Sequence, residues 1–95
     1  MDKFYLGKMV MTRGVSDKMA DDTGFAQFVS KSLNRYLDCD WGEMDAEDKK
    51  MNDSAVVNND DRIFASYKDQ ENGWTVWFIT EWDRSATTIL FPDEY

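Results

Sequence analysis

The chain has 95 residues, 19 of them acidic and 11 basic, with no His and a formal charge of −8, so as a whole it repels nucleic acid and anionic membranes; no direct nucleic-acid binding is expected. A chain of this length makes one domain, 1–95, that buries ~60–70% of its unfolded surface, and its core must come from six Phe, four Tyr, four Trp and six Met. No apolar run approaches the ~20 residues that span a bilayer, the stretch Met1 to Lys8 lacks the apolar segment of a secretion signal, and the single Cys39 cannot form an internal disulfide, so a cytoplasmic, non-membrane protein is expected.

Phe4 to Thr12 reads as a strand, with Tyr5, Met9 and Met11 on one side, Leu6 and Val10 on the other, and Arg13-Gly14 as its stop. Val15 to Ala20 holds a helical turn with Ser16 as N-cap. A longer helix follows, capped by Asp22 or Thr23. Phe25, Phe28, Val29, Ser32, Leu33, Tyr36 and Leu37 recur along it at three- and four-residue spacing and form one stripe. Asp38 to Gly42 turns the chain, and Asp45 caps a second helix running to about Ala55, whose apolar content is limited to Met44, Met51, Ala55 and Val56. From Arg62 the apolar period becomes two: Ile63 to Tyr67, Trp74 to Trp82 and Thr87 to Phe91 read as three strands. Asn72-Gly73 and Asp83-Arg84-Ser85 are their turns.

The expected fold is therefore α+β: a four-stranded, mainly antiparallel sheet made of the N-terminal strand and a C-terminal meander, with two to three helices inserted after the first strand. The Phe25 to Leu37 helix should cover one face. Both sides of the Trp74 to Trp82 strand are apolar, so its second face needs a cover as well, from the acidic helix or from a partner.

Catalytic chemistry finds little support in these residues. Without His, the common nucleophile and general-base arrangements lose their usual member, and Ser85 beside Asp83 and Arg84 reads as turn chemistry, with Arg84 pairing to Glu81 or Asp83. Cys39 sits between two carboxylates that disfavour its thiolate. Asp38, Asp40, Glu43, Asp45 and Glu47 resemble a calcium loop, but starting from Asp38 the sixth and twelfth positions hold Glu43 and Lys49 where Gly and Glu are needed. No enzyme, cofactor or dedicated metal site is expected.

Charge is the informative feature. Asp38, Asp40, Glu43, Asp45, Glu47, Asp48, Asp53, Asp60 and Asp61 face only two bases, Lys49 and Lys50, a local balance of −7. Such carboxylates on a rigid helix and its preceding turn can imitate a phosphate backbone and occupy a basic groove of another protein. Candidate partner-binding residues are Asp38, Asp40, Trp41, Glu43, Asp45, Glu47, Asp48 and Asp53, with Trp82 as an interface aromatic.

One resemblance extends this. Asp40-Trp41-Gly42, Glu47-Asp48-Lys49, Asn52-Asp53, Arg62-Ile63, Ser66-Tyr67, Ile79-Thr80-Glu81, Asp83-Arg84-Ser85, Thr87 to Pro92 and Glu94-Tyr95, with the opening Leu6 to Val15, resemble a family of small acidic proteins carried on plasmids and other mobile elements of bacteria. The chain departs from that family at Cys39, where Gly is common. The resemblance implies an anti-CRISPR-like role, in which a non-catalytic inhibitor binds a nucleic-acid or guide-RNA groove of a CRISPR or restriction effector. The alternative is a small interaction module in plasmid or phage maintenance.

Overall fold

The period-two segment folds as expected into a meander, and the rest of the chain wraps it. The computed structural model describes residues 3–95; Met1 and Asp2, the start of the opening stretch read above, lie outside the described residues. In chain order the elements are β1 (Lys8–Met11), α1 (Arg13–Asp21), α2 (Thr23–Leu37), α3 (Ala46–Asn58), β2 (Ile63–Asp69), β3 (Trp74–Thr80) and β4 (Ala86–Leu90), followed by a 3-10 turn at Pro92–Glu94. The α+β class, the four-stranded sheet and the placement of the helices after the first strand are as read from sequence.

The sheet order is β1-β4-β3-β2. β2–β3 and β3–β4 are antiparallel, but β1 runs parallel to β4, so the sheet is mixed rather than mainly antiparallel. A parallel neighbour needs a long crossover, and here everything between β1 and β4 supplies it. β1 is also shorter than Phe4–Thr12. The chain bends at Gly7, φ 66, where a Cβ would collide with the Arg84 and Ser85 carbonyls, and extended pairing begins only at Lys8, whose amide donates to Ser85 O at 3.0 Å.

Local chemistry sets the helix starts. Thr12, not Ser16, caps α1, its hydroxyl accepting from the Val15 amide at 3.3 Å, so Arg13-Gly14 begins a helix where a stop was expected. Asp22 closes α1 and caps α2, accepting from the Phe25 amide at 3.1 Å. α3 runs past Ala55 to Asn58 and ends on Asn59 in the left-handed conformation, φ 54. The β2–β3 connection is wider than a two-residue hairpin, with the Gly73 amide returning to Asp69 O at 2.8 Å and only Gly73 at positive φ, 74°.

Register places Ile63, Ala65, Tyr67, Val76, Phe78, Thr80, Thr87 and Ile89 on one face. α2 covers it: Tyr36 packs 5.1 Å from Phe78, and Phe25 packs 5.3 Å from Trp74 and 5.6 Å from Phe91. The opposite face carries Phe64, Trp77, Ile79, Thr88 and Leu90, with Val10 of β1 at its margin.

A directed chain of hydroxyls crosses the covered face. Thr87 Oγ1 donates to the Leu6 carbonyl at 2.7 Å, and a carbonyl can only accept. Thr87 must then accept from Thr80 at 2.7 Å, and Thr80 must accept from the Tyr36 hydroxyl at 2.7 Å. The order Tyr36 to Thr80 to Thr87 to Leu6 is fixed by its last member, and it joins α2, β3, β4 and the N-terminal segment. Burial raises the Tyr36 phenol well above its ordinary pKa, which keeps the proton this chain needs.

That direction makes the two ends unequal. Thr87→Val strands the Leu6 carbonyl and turns the Thr80 proton back onto Tyr36, whose own proton is left with the Ile63 carbonyl at 3.4 Å, and should cost about 2–3 kcal/mol, whereas Tyr36→Phe removes only a terminal donor and should cost about 1 kcal/mol. Urea denaturation of the two variants measures this, and equal losses would contradict the proposed order.

Candidate partner-binding surface

The acidic segment begins where α2 ends. Cys39 takes the left-handed conformation at φ 62, the one glycine adopts at least cost, immediately before the Asp-Trp-Gly turn. Its thiol is pushed up by burial, with Asp53 and Asp38 adding to the shift and Lys3 opposing it, so burial exceeds the like charge inferred from sequence. Asp40 receives a two-pronged bond from Arg35, Nε to Oδ2 at 2.7 Å and Nη2 to Oδ1 at 3.1 Å, and a third from the Gly42 amide at 3.2 Å. The Asp40 carbonyl accepts from the Tyr67 hydroxyl at 2.7 Å, and the Arg35 guanidinium lies 5.0 Å from the Tyr67 ring centre.

Gly42, φ 74, lets the backbone reach β2, since a Cβ there would strike the Ser66 carbonyl and the Tyr67 ring. A short parallel bridge results: Ser66 N donates to Trp41 O at 3.4 Å and Glu43 N to Ser66 O at 2.6 Å. Two residues along the same edge, Asn52 of α3 replaces a neighbouring strand, its side-chain amide donating to Phe64 O at 2.7 Å and its oxygen accepting from Phe64 N at 3.3 Å. The outer edge of β2 is thereby closed at Phe64 and Ser66.

α3 has few apolar residues, and polar bonds fasten it. Trp41 Nε1 donates to Asp53 at 2.9 Å. At the helix C-terminus, Arg84 enters from the β3–β4 turn: Nη2 donates to Ala55 O at 2.7 Å, and Nη1 to Asp61 O at 2.6 Å, with longer bonds of 3.2 Å each to Glu81 O and Trp82 O. Arg84 is 5% exposed, stands at φ 60 and leaves Nε unpartnered. It pairs with neither Glu81 nor Asp83, contrary to expectation; the carbonyls converge on it, and the α3 dipole directs its negative end there. Asp83 instead accepts the Ser85 amide at 3.0 Å, and the Ser85 hydroxyl and amide hold its carboxyl below the usual carboxylate range.

The residues singled out from sequence thus separate into two groups. Trp41 is 2% exposed and belongs to the core, packed against Tyr36 and Phe4, so it is closed to a partner. Asp40, Asp45 and Asp53 are exposed but hold the fold, Asp45 as the α3 cap accepting from the Asp48 amide at 2.8 Å. Asp38, Glu43, Glu47 and Asp48 point to solvent, together with Asp60 and Asp61. Trp82 is 65% exposed, whereas Trp77 is half-buried. Sequence reasoning missed Arg84 and Asn52 because their partners are backbone atoms brought close only by the fold.

Among the described residues, no group of three or more His, Cys, Asp or Glu is arranged to hold a metal ion, and no helix is long and apolar enough to cross a membrane. The chain matches no protein-family model, no curated protein sequence and no solved structure. Its surface geometry therefore carries the functional argument, and that geometry offers a negatively charged, backbone-anchored ridge.

Two measurements test these anchors. Arg84→Met should destabilise by about 3 kcal/mol, since the Asp61 and Trp82 carbonyls lose their donor and those of Ala55 and Glu81 lose a second one, and hydrogen exchange should show α3 amides losing protection before those of β3. Unchanged α3 protection relative to the sheet would refute the anchoring role. Arg35, and then the Gly42 amide, hold the Asp40 carboxyl below the usual range. A lowered folded pKa stabilises above the unfolded value of about 3.9 and loses that contribution as pH falls through the folded value. The stability gap between the parent chain and Asp40→Asn should be about 0.5–1 kcal/mol at neutral pH, a figure discounted for the half-exposed pair. It should close in acid, and a gap that persists below the lowered pKa would rule the pairing out.

Proposed function

We propose that this protein is a non-catalytic anti-defence inhibitor that lays the acidic α3 surface into a basic nucleic-acid or guide-RNA groove of a CRISPR or restriction effector. One observation carries the reading. Of the nine acids between Asp38 and Asp61, only Asp40 is in an ion pair among the described residues; Glu47, Asp48 and Asp53 lie on α3 itself, which Asn52 and Arg84 fasten through bonds to backbone oxygens. Unpaired carboxylates on a fixed element keep their field and need little reordering on association, which favours fast, salt-sensitive capture of a basic surface. The mobile-element setting implied by the family resemblance supplies the partner class.

A second reading, an interaction module in plasmid maintenance with no anti-defence role, is favoured by the exposed Trp82 and Tyr95, 65% and 70% accessible.

The test reverses only carboxylates that make no hydrogen bond or ion pair within the described residues, Glu43, Glu47 and Asp60 to Lys. With the parent chain as bait in a host that carries defence systems, a CRISPR or restriction subunit should be recovered and plasmid transfer should rise. The triple variant should remain folded and bind about tenfold more weakly for each reversed charge. Recovery of no such subunit together with unchanged transfer would refute the proposal, as would a triple variant that inhibits like the parent.

A further inference from the structure

The same edge of the molecule has a second property that its charge does not describe. Met44, Met51 and Phe64 line a groove of about 270 Å³ between α3 and the outer edge of β2, with Asp48, Asp61 and Arg62 on its walls. Met51 is 59% exposed there. The apolar floor continues over the sheet face opposite α2: the Phe64 ring lies 4.9 Å from Trp77, and Trp77 lies 5.7 Å from Tyr95. Arg62, the only base in the lining, is turned to the Tyr95 hydroxyl at 3.1 Å, and Asp48 and Asp61 set the sign of the rim.

We propose that this groove is the docking site for a basic amphipathic segment of a partner protein, one large apolar side chain resting on Met44, Met51 and Phe64 while neighbouring Lys or Arg residues meet Asp48 and Asp61. The inference rests on the acidic-binder reading above and specifies what the partner must contain. Charge complementarity selects the occupant. An apolar floor between two carboxylates rewards an apolar anchor flanked by cations, and it discriminates against acidic segments and against cationic segments that have nothing to bury. Thioether side chains adapt to anchors of different shape, as promiscuous peptide grooves do.

The full chain, labelled with nitrogen-15, is titrated with three synthetic peptides of equal length: an amphipathic Leu/Lys helix, a Gly/Lys peptide of the same charge and a Leu/Glu helix. The Leu/Lys peptide should bind at least about tenfold more tightly than Gly/Lys, Leu/Glu should not bind, and amide shifts should concentrate in α3 and β2. Met51→Gln, a change at an exposed helical position that retains helix propensity, should lower Leu/Lys affinity about tenfold while leaving thermal stability unchanged. Asp48→Asn with Asp61→Asn should flatten the salt dependence. Equal binding of the two Lys peptides, shifts centred away from α3 and β2, or an unaffected Met51→Gln variant would each overturn the groove. The two proposals fail separately: a silent Met51→Gln variant sinks the groove even where the Lys reversals abolish inhibition, and groove binding with no effector captured sinks the anti-defence role alone.

Discussion

The position of α3 depends on one buried cation that has no carboxylate. Arg84 bonds the carbonyls of Ala55, Asp61, Glu81 and Trp82, and so ties the end of α3, the loop after it and the β3–β4 turn at a single point. Burial of an isolated guanidinium would be prohibitive, and the arrangement is tolerable because the carbonyl dipoles and the helix terminus supply a negative potential that no single group provides. The cost is visible in the backbone: φ 60 at a residue with a side chain costs about 1–2 kcal/mol. A conformation of that kind persists only where its surroundings demand it. Here the side chain supplies a donor to the Asp61 and Trp82 carbonyls and a second one to those of Ala55 and Glu81, each of which also accepts a backbone amide.

The two edges of the sheet are treated differently. On β2, Asn52 occupies the backbone groups of Phe64, and the Trp41–Glu43 turn occupies those of Ser66. β1 lies at the opposite edge with Lys8, Met9, Val10 and Met11 all exposed. A lysine and a short strand are the usual ways of making such an edge unattractive. The sheet is thus sealed where the acids lie and only blunted on the far side.

The sequence made the elements with strong periodicity legible. The α2 stripe and the alternation in β2, β3 and β4 appear where those patterns place them, because one apolar face per element is enough to specify an amphipathic helix or a half-buried strand. What escaped was non-periodic. β1 was read too long: Gly7 is the one local sign of a bend, but the Arg84 and Ser85 carbonyls that require a glycine there are close only in the fold, and the strand's direction beside β4 depends on the crossover path rather than on its own residues. Asp45 was legible as a cap because its partner is three residues away. Arg84 was read as a surface ion pair because Glu81 and Asp83 are close in sequence, whereas its true partners include a helix end almost thirty residues earlier. Trp41 was read as a contact residue because Trp is over-represented at interfaces; packing on Tyr36 and Phe4 and a bond to Asp53, 12 residues along the chain, place it in the core.

Stability and charge display draw on different atoms in this molecule. A marginally apolar helix must be held by polar bonds, and the direct means, salt bridges to its own carboxylates, would have neutralised the surface. Instead the fasteners end on backbone: Asn52 on the Phe64 peptide groups, Arg84 on four carbonyls, the Glu43 amide on the Ser66 carbonyl. Only Asp40, Asp45 and Asp53 among the nine acids are used in holding the fold by their side chains through ion pairing, capping or the indole bond. Arg35, from α2, pairs with Asp40, and Arg84 is buried beneath the segment, bonded to backbone carbonyls and to none of its carboxylates. Of the remaining carboxylates, Asp61 accepts the Arg62 amide, and Asp38, Glu43, Glu47, Asp48 and Asp60 carry charge without a hydrogen bond or ion pair among the described residues. In the proposed complex that separation matters, since a partner can neutralise Glu43, Glu47 or Asp60 without disturbing any bond that keeps α3 in place.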